Sequence, residues 1–482
     1  MNITVTANKS AGPIKHFWTN CVGSCHAATA LREDWRRQLA QCKKELDFQY
    51  VRFHGLLNDD MSVCLRNNET GKIEYSFFNI DSIFDFLLSI GMKPFIELSF
   101  MPTALASGPN TVFHYKGNIT PPTSYDEWAH LIEALARHLL ERYGAEEVRS
   151  WFFEVWNEPN LDMFWTGTME EYFKLYQVTA LAIKKADQFL RVGGPSTAID
   201  AWIPEFKSFC TQNRVPLDFI TTHHYPTDLA FSLGTNMEER MARAQRGELA
   251  WRTRKVLQDA SPLTVYYTEW NNSPSPRDLY HDLPYNGAFI VKTIIDILDQ
   301  PLGCYSFWTF SDIFEECGFS SMPFHGGFGL LTIHGIPKPS YRAFQFLSRL
   351  SGNRLPVQIE GEQSTIDCAA SQDGDRITIL ISNHQIPLSP IKTEKLTLHL
   401  RGITNIAHAE LERIGEEYAN PRKAWEAMGM PVNLTEDHIA RLLKASEPFR
   451  SSCPVLHTEA GAEIRIDDLE PHGVVCISLR LS

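Results

Sequence analysis

The sequence predicts a (β/α)8 barrel joined to an antiparallel β-sandwich, and two observations support this prediction. From about residue 16 to about residue 350, short apolar runs alternate with amphipathic stretches, which is the pattern of repeated βα units. After residue 350 the chain changes to short stretches of alternating polarity, such as ITILISN and VVCISLRL, separated by turn-rich segments. This pattern of alternating polarity is typical of an antiparallel β-sandwich.

Eight apolar runs are predicted to form the strands of the barrel. An open doubly wound sheet is the competing interpretation, but it normally has a glycine-rich phosphate turn after its first strand, and CVGSCH lacks that spacing. Eight strands that are each followed by a helix close most economically as a barrel. The predicted strands are His16–Val22, Phe48–His54, Lys93–Ser99, Trp151–Trp156, Leu190–Gly193, Phe219–His224, Thr264–Glu269 and Cys304–Phe310.

A helical pattern follows each predicted strand, with apolar residues at helical spacing. The predicted helices are Leu31–Leu46, Ile80–Ile90, Tyr125–Tyr143, Glu170–Phe189, Ala201–Asn213, Met237–Leu257, Tyr285–Leu298 and Tyr341–Leu350.

The expected domains are a barrel over 16–350 and a β-sandwich formed by 1–15 together with 351–482. The N-terminal stretch NITVTA alternates in polarity like the later strands, so it is expected to pair with the sandwich. A small helical insertion is expected near 420–450.

Composition excludes several classes of partner. A formal net charge of -13 is unfavourable for binding nucleic acid. No run of about 18 apolar residues is present, so we expect no membrane-spanning helix. The N-terminus does not resemble a secretory signal, and the ten scattered cysteines favour reduced thiols, so a cytoplasmic location is expected. The sequence leaves homo-oligomer formation open.

Two of the predicted strands end in glutamate: strand 4 ends at Glu158 in WFFEVWNEPN, and strand 7 ends at Glu269 in VYYTEWN. Polar residues at the C-terminal ends of barrel strands point into the mouth of the barrel. A strand-end glutamate is commonly a solvated loop residue, but an Asn-Glu-Pro triplet after an aromatic strand is hard to explain by packing. Two carboxyl groups about 5 to 5.5 Å apart cleave glycosidic bonds with retention, one as acid/base and the other as nucleophile.

These two roles require different pKa values. Burial and the negative charge of Glu269 should keep Glu158 protonated, while a cationic or hydrogen-bonding neighbour should hold Glu269 ionised. Arg52, at the end of strand 2 in YVRFHG, is the candidate for that neighbour. Glu97 and Glu154 are expected to be buried ion-pair partners of Arg52, because buried charges need pairing.

WNEPN with a later YTEWN resembles the retaining glycosidases of clan A. RFHGLLNDDM, PFIELSFMP, THHYPTD and FWTFSDIFEE occur in order with barrel spacing, and together they resemble glycoside hydrolase family 39, especially its β-xylosidases. The likeness covers the whole chain. It implies that Glu158 is the general acid/base and Glu269 the nucleophile of an enzyme that removes xylose by double displacement.

The resemblance also implies which side chains surround the sugar. Asn157 matches an asparagine that hydrogen-bonds the sugar 2-hydroxyl. The two histidines of the group below would hold ring hydroxyls, and one or other of the two glutamates would reach outer hydroxyls. The tyrosine would approach the nucleophile, and the tryptophan would form an aromatic wall. Without the resemblance, a strand-end histidine is more often structural and a barrel tryptophan more often part of the core. The group consists of His54, His223, Tyr225, Trp308, Glu315 and Glu316.

Two features of the sequence narrow the class of substrate that is expected. Long inserts at 58–79, 272–284 and 311–338 could wall off the mouth, so exo action on chain ends is expected. Family 39 also contains α-L-iduronidases, which must neutralise a substrate carboxylate. HHYPTD has no Lys or Arg beside His223, which favours a neutral sugar, although another cation could approach from elsewhere.

Other functions stay open at this point. They are an α-L-arabinosidase, another neutral-sugar glycosidase of clan A, and a carbohydrate-binding protein on a degenerate barrel, which would be expected to have lost one carboxylate. Cys21, Cys25 and His26 stand close together, but no second cluster completes a four-ligand site. Hydrolysis by two carboxylates needs only water, so no metal and no cofactor are expected.

Overall fold

A computed structural model describes residues 1–7, 9–228, 236–361, 365–403 and 405–482. Eight parallel strands, each hydrogen-bonded to the next along the chain, form a closed barrel, so the predicted fold class is confirmed. We number them barrel strands 1 to 8. Their bounds are Cys21–His26, Tyr50–His54, Lys93–Leu98, Phe152–Val155, Arg191–Thr197, Phe219–His223, Val265–Trp270 and Cys304–Phe307.

Amphipathic helices cover the outside of the barrel. Helix Met169–Ala186 begins with a capping box, in which the side chain of Thr168 and the side chain of Glu171 each accept the other's backbone N–H. The described helices of this layer are Glu33–Leu46, Phe78–Ser89, Tyr125–Tyr143, Ala145–Val148, Met169–Ala186, Ile203–Asn213, Met237–Arg243, Glu248–Ala260, Pro284–Asp296 and Pro339–Leu347. None of the helices in the described ranges is long and apolar enough to cross a membrane.

The two ends of the barrel interior differ in chemistry. Apolar side chains from the beginnings of the strands, including Phe95, Phe152 and Phe219, pack together and fill the N-terminal end. Charged side chains, such as Arg52 and Glu154, occupy the layer above them. The apolar floor therefore leaves the C-terminal end as the side on which a polar site can form.

Eleven of the remaining described strands form two packed sheets. Asn2–Thr6 pairs with Glu394–Arg401, so the predicted pairing of NITVTA with this region is present. Side chains from both sheets, such as Ile3 and Ile379, share one apolar core. The exact domain limits stay a prediction. One sheet contains Val357–Ile359, Asn2–Thr6, Glu394–Arg401, Gly461–Leu469 and Leu456–Thr458; the other contains Asn353–Leu355, Ile366–Asp373, Arg376–Asn383, Val474–Leu481, Ile406–Ile414 and Phe449–Ser452.

Short elements complete the fold. The expected helical insertion is present as Pro421–Ala427 and Glu436–Ala445. Two hairpins lie in the loops after barrel strands 2 and 3. They are Cys64–Arg66 with Ile73–Tyr75, and Thr111–Val112 with Gly117–Asn118.

The prediction of the first strand as His16–Val22 was wrong, since barrel strand 1 begins at Cys21. Phe17 and Trp18 lie in a buried turn, in which the Thr19 N–H donates to the His16 carbonyl. Residue 23 of this strand is a glycine because a Cβ there would come within 2.4 Å of the ring of Trp308.

The prediction of one helix over Met237–Leu257 was also wrong, because the structure has two helices that are interrupted at 244–247. Arg246 lies in the interruption. Its guanidinium binds Asp367 of the sandwich, and its carbonyl accepts a hydrogen bond from Lys292. The break therefore provides contacts between the barrel and the sandwich.

Candidate active site

A cavity of about 540 Å³ opens at the C-terminal ends of the barrel strands. Its volume is in the range of pockets that bind small molecules. The cavity walls include both strand-end glutamates, together with loop residues that follow barrel strands 3, 4, 5, 6, 7 and 8. The described residues that line it are His54, Phe113, Asn157, Glu158, Leu161, Asp162, Met163, Phe164, Ala198, Ile199, Tyr225, Asp228, Glu269, Pro274, Pro276, Trp308, Glu316, Cys317 and Phe328.

Glu158 and Glu269 approach each other across this cavity. Glu158 follows barrel strand 4 in a turn with φ of 44°, and its N–H donates to the Ser196 carbonyl at 2.8 Å. Glu269 lies within barrel strand 7. An oxygen of each carboxyl group and a nitrogen of His223 all lie within 4.8 Å of one another. A separation of this order fits the retaining geometry, whereas the inverting one needs about 6.5 to 9.5 Å.

Glu269 is held by two donors. Arg52 Nη1 lies 2.9 Å from Oε1, and the Tyr225 hydroxyl donates to Oε2 at 2.9 Å. Burial raises the pKa of Glu269, while Arg52, His54 and Tyr225 act in the opposite direction. Sequence reasoning expected Arg52 to hold Glu269 ionised. The structure adds that Arg52 only partly offsets the loss of water around Glu269, so the pKa of Glu269 is still raised.

Arg52 is the centre of a buried ion cluster. It contacts Glu154 through Nε and Glu97 through Nη2, the latter at 2.8 Å, as the sequence predicted. Burial lowers the pKa of Arg52, but the three carboxylates around it outweigh that effect and raise it. Arg52 Nη2 also donates to Asn157 Oδ1 at 3.0 Å. This bond fixes the amide of Asn157 so that its NH2 group is left for the cavity.

Glu158 has a different set of neighbours. His223 Nδ1 lies 2.9 Å from Glu158 Oε1, and no cation contacts this carboxyl group among the described residues. Burial raises the pKa of Glu158 well above its usual value, and the charges of Glu269 and Asp228 raise it further. Burial lowers the pKa of His223 well below its usual value. Glu158 is therefore suited to hold a proton that Glu269 does not.

Of the side chains expected around the sugar, most line the cavity. His54 donates from Nδ1 to Glu97 at 2.7 Å, because the ionised carboxylate can only accept, and its Nε2 lies 3.6 Å from Glu316. Burial raises the pKa of Glu316 to about 8. Asn157, Tyr225 and Trp308 also reach the cavity wall.

Two of the expected sugar-binding residues do not line the cavity. Both ring nitrogens of His223 are engaged by the protein, Nδ1 by Glu158 and Nε2 by Thr268 at 3.0 Å. Neither nitrogen is free to hold a ring hydroxyl, so the structure places His223 behind Glu158. Glu315 turns away from the cavity because its carboxylate lies 3.3 Å from His26 Nε2.

The predicted wall-forming inserts are used unequally. Loops after strands 7 and 8 supply Pro274, Pro276 and Glu316 to the cavity. The insert at 58–79 supplies none of the described lining residues. Instead, the Asn58 amide donates to the Tyr115 carbonyl, so this insert supports the loop that carries Phe113. That loop is tied to the strand 8 loop, because the His114 N–H donates to the Glu316 carbonyl at 3.3 Å.

Sequence reasoning missed some residues of the site. Asp228 lines the cavity, and burial raises its pKa to about 6. It belongs to THHYPTD, so the motif could have indicated it. The apolar side chains of Phe113, Met163 and Ile199 come from loops that have no periodic pattern, and no sequence signal identifies them.

In the described part of the chain, one group of acidic and histidine side chains is close enough together to hold a metal ion. It consists of Glu158, His223 and Glu269. Glu158 Oε1 and His223 Nδ1 are already hydrogen-bonded directly to each other. A single hydrogen bond satisfies both atoms, so we assign the group to acid–base chemistry.

Comparison with known proteins agrees with this geometry. The family model described as glycosyl hydrolases family 39 matches residues 1–462. A β-xylosidase of Caldicellulosiruptor saccharolyticus is 64% identical over 100% of this chain and 98% of its own length. A β-xylosidase of Geobacillus stearothermophilus is 37% identical over 89% of this chain and 86% of its own.

A solved structure shares the whole architecture. The crystal structure of a monomeric β-xylosidase from Caulobacter crescentus CB15 superposes with a TM-score of 0.87 at 34% identity, over 100% of this chain and 99% of that one. With a family model that covers nearly the whole sequence and relatives at these identities, the chain belongs to glycoside hydrolase family 39.

Proposed function

We propose that this protein is a retaining, exo-acting β-xylosidase that releases terminal xylose from xylosides and short xylo-oligosaccharides. The observation that supports the mechanism most strongly is the approach of Glu158 and Glu269 to within 4.8 Å in one cavity. Relatives at 64% and 37% identity that bear the name β-xylosidase favour xylose as the sugar.

The reaction takes two displacements. In the first, a carboxylate oxygen of Glu269 bonds to the anomeric carbon while the bond from that carbon to the aglycone oxygen breaks, and the proton of Glu158 passes to the departing oxygen. In the second, Glu158 accepts a proton from water, and the water oxygen replaces Glu269 at the anomeric carbon. Two inversions give net retention.

The neighbours of each carboxyl group suit these steps. Arg52 and the Tyr225 hydroxyl stabilise the anionic form of Glu269 before attack. Glu158 begins each cycle protonated because burial and Glu269 raise its pKa. The Asn157 NH2 group, oriented by Arg52, is placed to donate to the sugar 2-hydroxyl, where a hydrogen bond strengthens in the transition state.

The charges around the cavity favour a neutral sugar. Its described lining contains the carboxyl groups of Asp162, Asp228 and Glu316, and no Lys or Arg. Arg277 donates to the Gly318 carbonyl and is exposed, and Lys292 pairs with Asp296 away from the cavity. A uronic acid would find no Lys or Arg in this lining to pair with its carboxylate, so xylosides are preferred over iduronides.

A panel of 4-nitrophenyl glycosides tests the proposal. We expect the β-D-xyloside to give the highest kcat/KM, above the α-L-arabinosides, the β-D-glucoside and the α-L-iduronide. Proton NMR of early time points should detect β-xylose before mutarotation. Release of α-xylose would contradict the retaining mechanism, and faster turnover of the iduronide would overturn the substrate assignment.

Xylotetraose and polymeric xylan test the exo mode. Xylose should be the first small product from both, because the Phe113 loop and the strand 8 loop both line the cavity and are joined to each other. Early appearance of xylotriose and longer fragments from xylan would contradict exo action.

A further inference from the structure

Thr268 occupies an irregular position in barrel strand 7. Thr222 pairs with Tyr267 whereas His223 pairs with Glu269, so Thr268 is an extra residue in the ladder. Such a bulge re-aims side chains and is frequent next to active sites. Regular alternation would send Thr268 and Glu269 to opposite faces, but here the Thr268 hydroxyl is fully buried and contacts both Glu154 and His223.

The direction of the hydrogen bonds at Thr268 follows from its single proton. Its hydroxyl lies 2.8 Å from Glu154 Oε1, and an ionised carboxylate can only accept, so Thr268 donates to Glu154. His223 Nε2 lies 3.0 Å from the same hydroxyl oxygen. Since the hydroxyl proton is already used, Nε2 must carry a proton and donate to Thr268. Ser196 Oγ is the other acceptor in reach of Nε2, at a longer 3.4 Å.

This assignment determines what His223 presents to Glu158. Burial and the nearby charges of Arg52 and His54 lower the pKa of His223, so the ring is neutral and has one N–H. With that proton on Nε2, Nδ1 is a bare acceptor 2.9 Å from Glu158 Oε1. Two acceptors cannot form a hydrogen bond, so Glu158 carries the proton and donates it to Nδ1.

We propose that Thr268 is a positioning residue that holds His223 in its Nε2–H tautomer, so that Nδ1 accepts from Glu158 and keeps the acid/base protonated. This inference rests on the acid/base role proposed for Glu158. It also joins the two carboxyl groups of the reaction, because Glu154 accepts from both Thr268 and Arg52, and Arg52 binds Glu269.

Replacing Thr268 by valine keeps the shape of the side chain and removes the acceptor. Nε2 then loses its closest partner, and the Nδ1–H tautomer, which donates to Glu158, becomes competitive. A donor facing Glu158 stabilises its ionised form, so the pKa of Glu158 falls. The other groups that face Glu158 do not change: Glu269, Asp228 and Glu316 raise its pKa, and Arg52 lowers it.

The first experiment compares the pH dependence of kcat/KM for 4-nitrophenyl β-xyloside in wild type, Thr268→Val and Thr268→Ser. Glu158 must be protonated in the first step, so activity falls as pH rises through its pKa. We expect the alkaline limb of Thr268→Val to move by about one pH unit toward acid, and Thr268→Ser, which keeps the hydroxyl, to retain the wild-type limb. A valine variant that loses activity with an unmoved limb would overturn the proposal.

A second measurement uses the wild-type protein and does not depend on how the valine variant folds. Nitrogen-15 NMR of histidine-labelled enzyme separates the two tautomers, and the His223 signals are those lost in His223→Asn. We expect Nε2 to be protonated and Nδ1 to be unprotonated at a pH on the plateau of activity. A protonated Nδ1 with a bare Nε2 would refute the proposal.

Glu158→Gln separates failure of this inference from failure of the proposed function. If that variant retains the alkaline limb on the same substrate, Glu158 is not the acid and the function proposed above is wrong. If the limb disappears while Thr268→Val still titrates like wild type, the acid/base role stands and the role of Thr268 is refuted.

Discussion

Glu158 and Glu269 are the same residue type at nearly equal burial, with 8% and 5% of their surfaces exposed, yet the structure surrounds them differently. Glu269 has a guanidinium and a phenol hydroxyl as partners, both of which favour the anion. Glu158 has a neutral imidazole and two other carboxyl groups near it, and burial is the largest cause of its raised pKa. The partners, rather than the depth of burial, separate the acid from the nucleophile.

The partners of the two carboxyl groups come from different positions in the barrel. The partners of Glu269 come from barrel strand 2 and from the segment after strand 6, whereas the imidazole beside Glu158 ends strand 6. Arg52 is anchored by Glu97 and Glu154, so its charge stays beside Glu269 and does not shift toward Glu158.

The largest effect should come from removing each carboxyl group in turn. Glu269→Ala should lower kcat on the order of 10⁴-fold or more on every xyloside, because no nucleophile remains. Glu158→Ala should lower it by about 10² to 10⁴-fold on substrates with poor leaving groups and much less in the bond-breaking step for 2,4-dinitrophenyl xyloside.

Sodium azide distinguishes the variant that lacks the acid/base from the variant that lacks the nucleophile. Azide should rescue Glu158→Ala as β-xylosyl azide and Glu269→Ala as the α-azide, since each anion enters the space of the deleted carboxylate. The same azide anomer from both variants would contradict the assignment. Stereochemistry is read by proton NMR of the isolated azide.

An intermediate effect is expected at Arg52. Arg52→Lys keeps one positive charge but loses the planar group that contacts three carboxylates and Asn157 at once. We expect kcat/KM to fall by about 10² to 10³-fold, since a charge-assisted contact in a buried site contributes several kcal/mol. The acid limb of the pH profile should move upward, because Glu269 becomes harder to ionise.

Thermal unfolding is the control for Arg52→Lys. A loss of activity with an unchanged acid limb and a large drop in Tm would indicate that Arg52 stabilises the barrel without tuning Glu269. Arg277→Lys is a matched variant, since Arg277 is exposed and its guanidinium contacts only the Gly318 carbonyl among the described residues. It should leave the profile unchanged.

The smallest effect in the set should come from Tyr225→Phe. This change removes one hydrogen bond to Glu269 Oε2 and leaves the ring in place. A hydrogen bond to a charged group contributes about 1.5 to 3 kcal/mol, so kcat/KM should fall by about 10 to 100-fold. Unchanged kinetics would mean that the 2.9 Å contact does not persist with substrate bound. Tyr280→Phe, whose hydroxyl binds Glu238 outside the cavity, serves as the control.

The parts of the site that follow strand periodicity could be predicted from the sequence. Arg52 and Glu269 lie in predicted strands and Glu158 directly follows one, and period-two alternation predicts that Glu154 is on the same face as Glu158. His223 ends barrel strand 6, as the sequence predicted, but the sequence did not indicate its contacts with Glu158 and Thr268. Its ring nitrogens are used by residues from two other strands, and that pairing is not visible along the chain.

Thr268 marks the limit of sequence reasoning most clearly. Alternation assigns it to the face opposite Glu269, and a one-residue bulge reverses that assignment. Glu315 and Glu316 are adjacent in a loop without periodicity, so either could have faced the sugar. The contact of Glu315 with His26 decided which one turns away.

The sequence by itself determined the barrel, the sandwich and the two strand-end glutamates, because apolar periodicity and the order of motifs are local properties of the chain. The motifs already predicted that Glu158 holds the proton, but the tertiary structure alone decided which side chains surround each carboxyl group and keep that difference. That depends on distances between side chains from strands 2, 4, 6 and 7, and on the loss of water around them, neither of which is encoded in the spacing of residues along one strand.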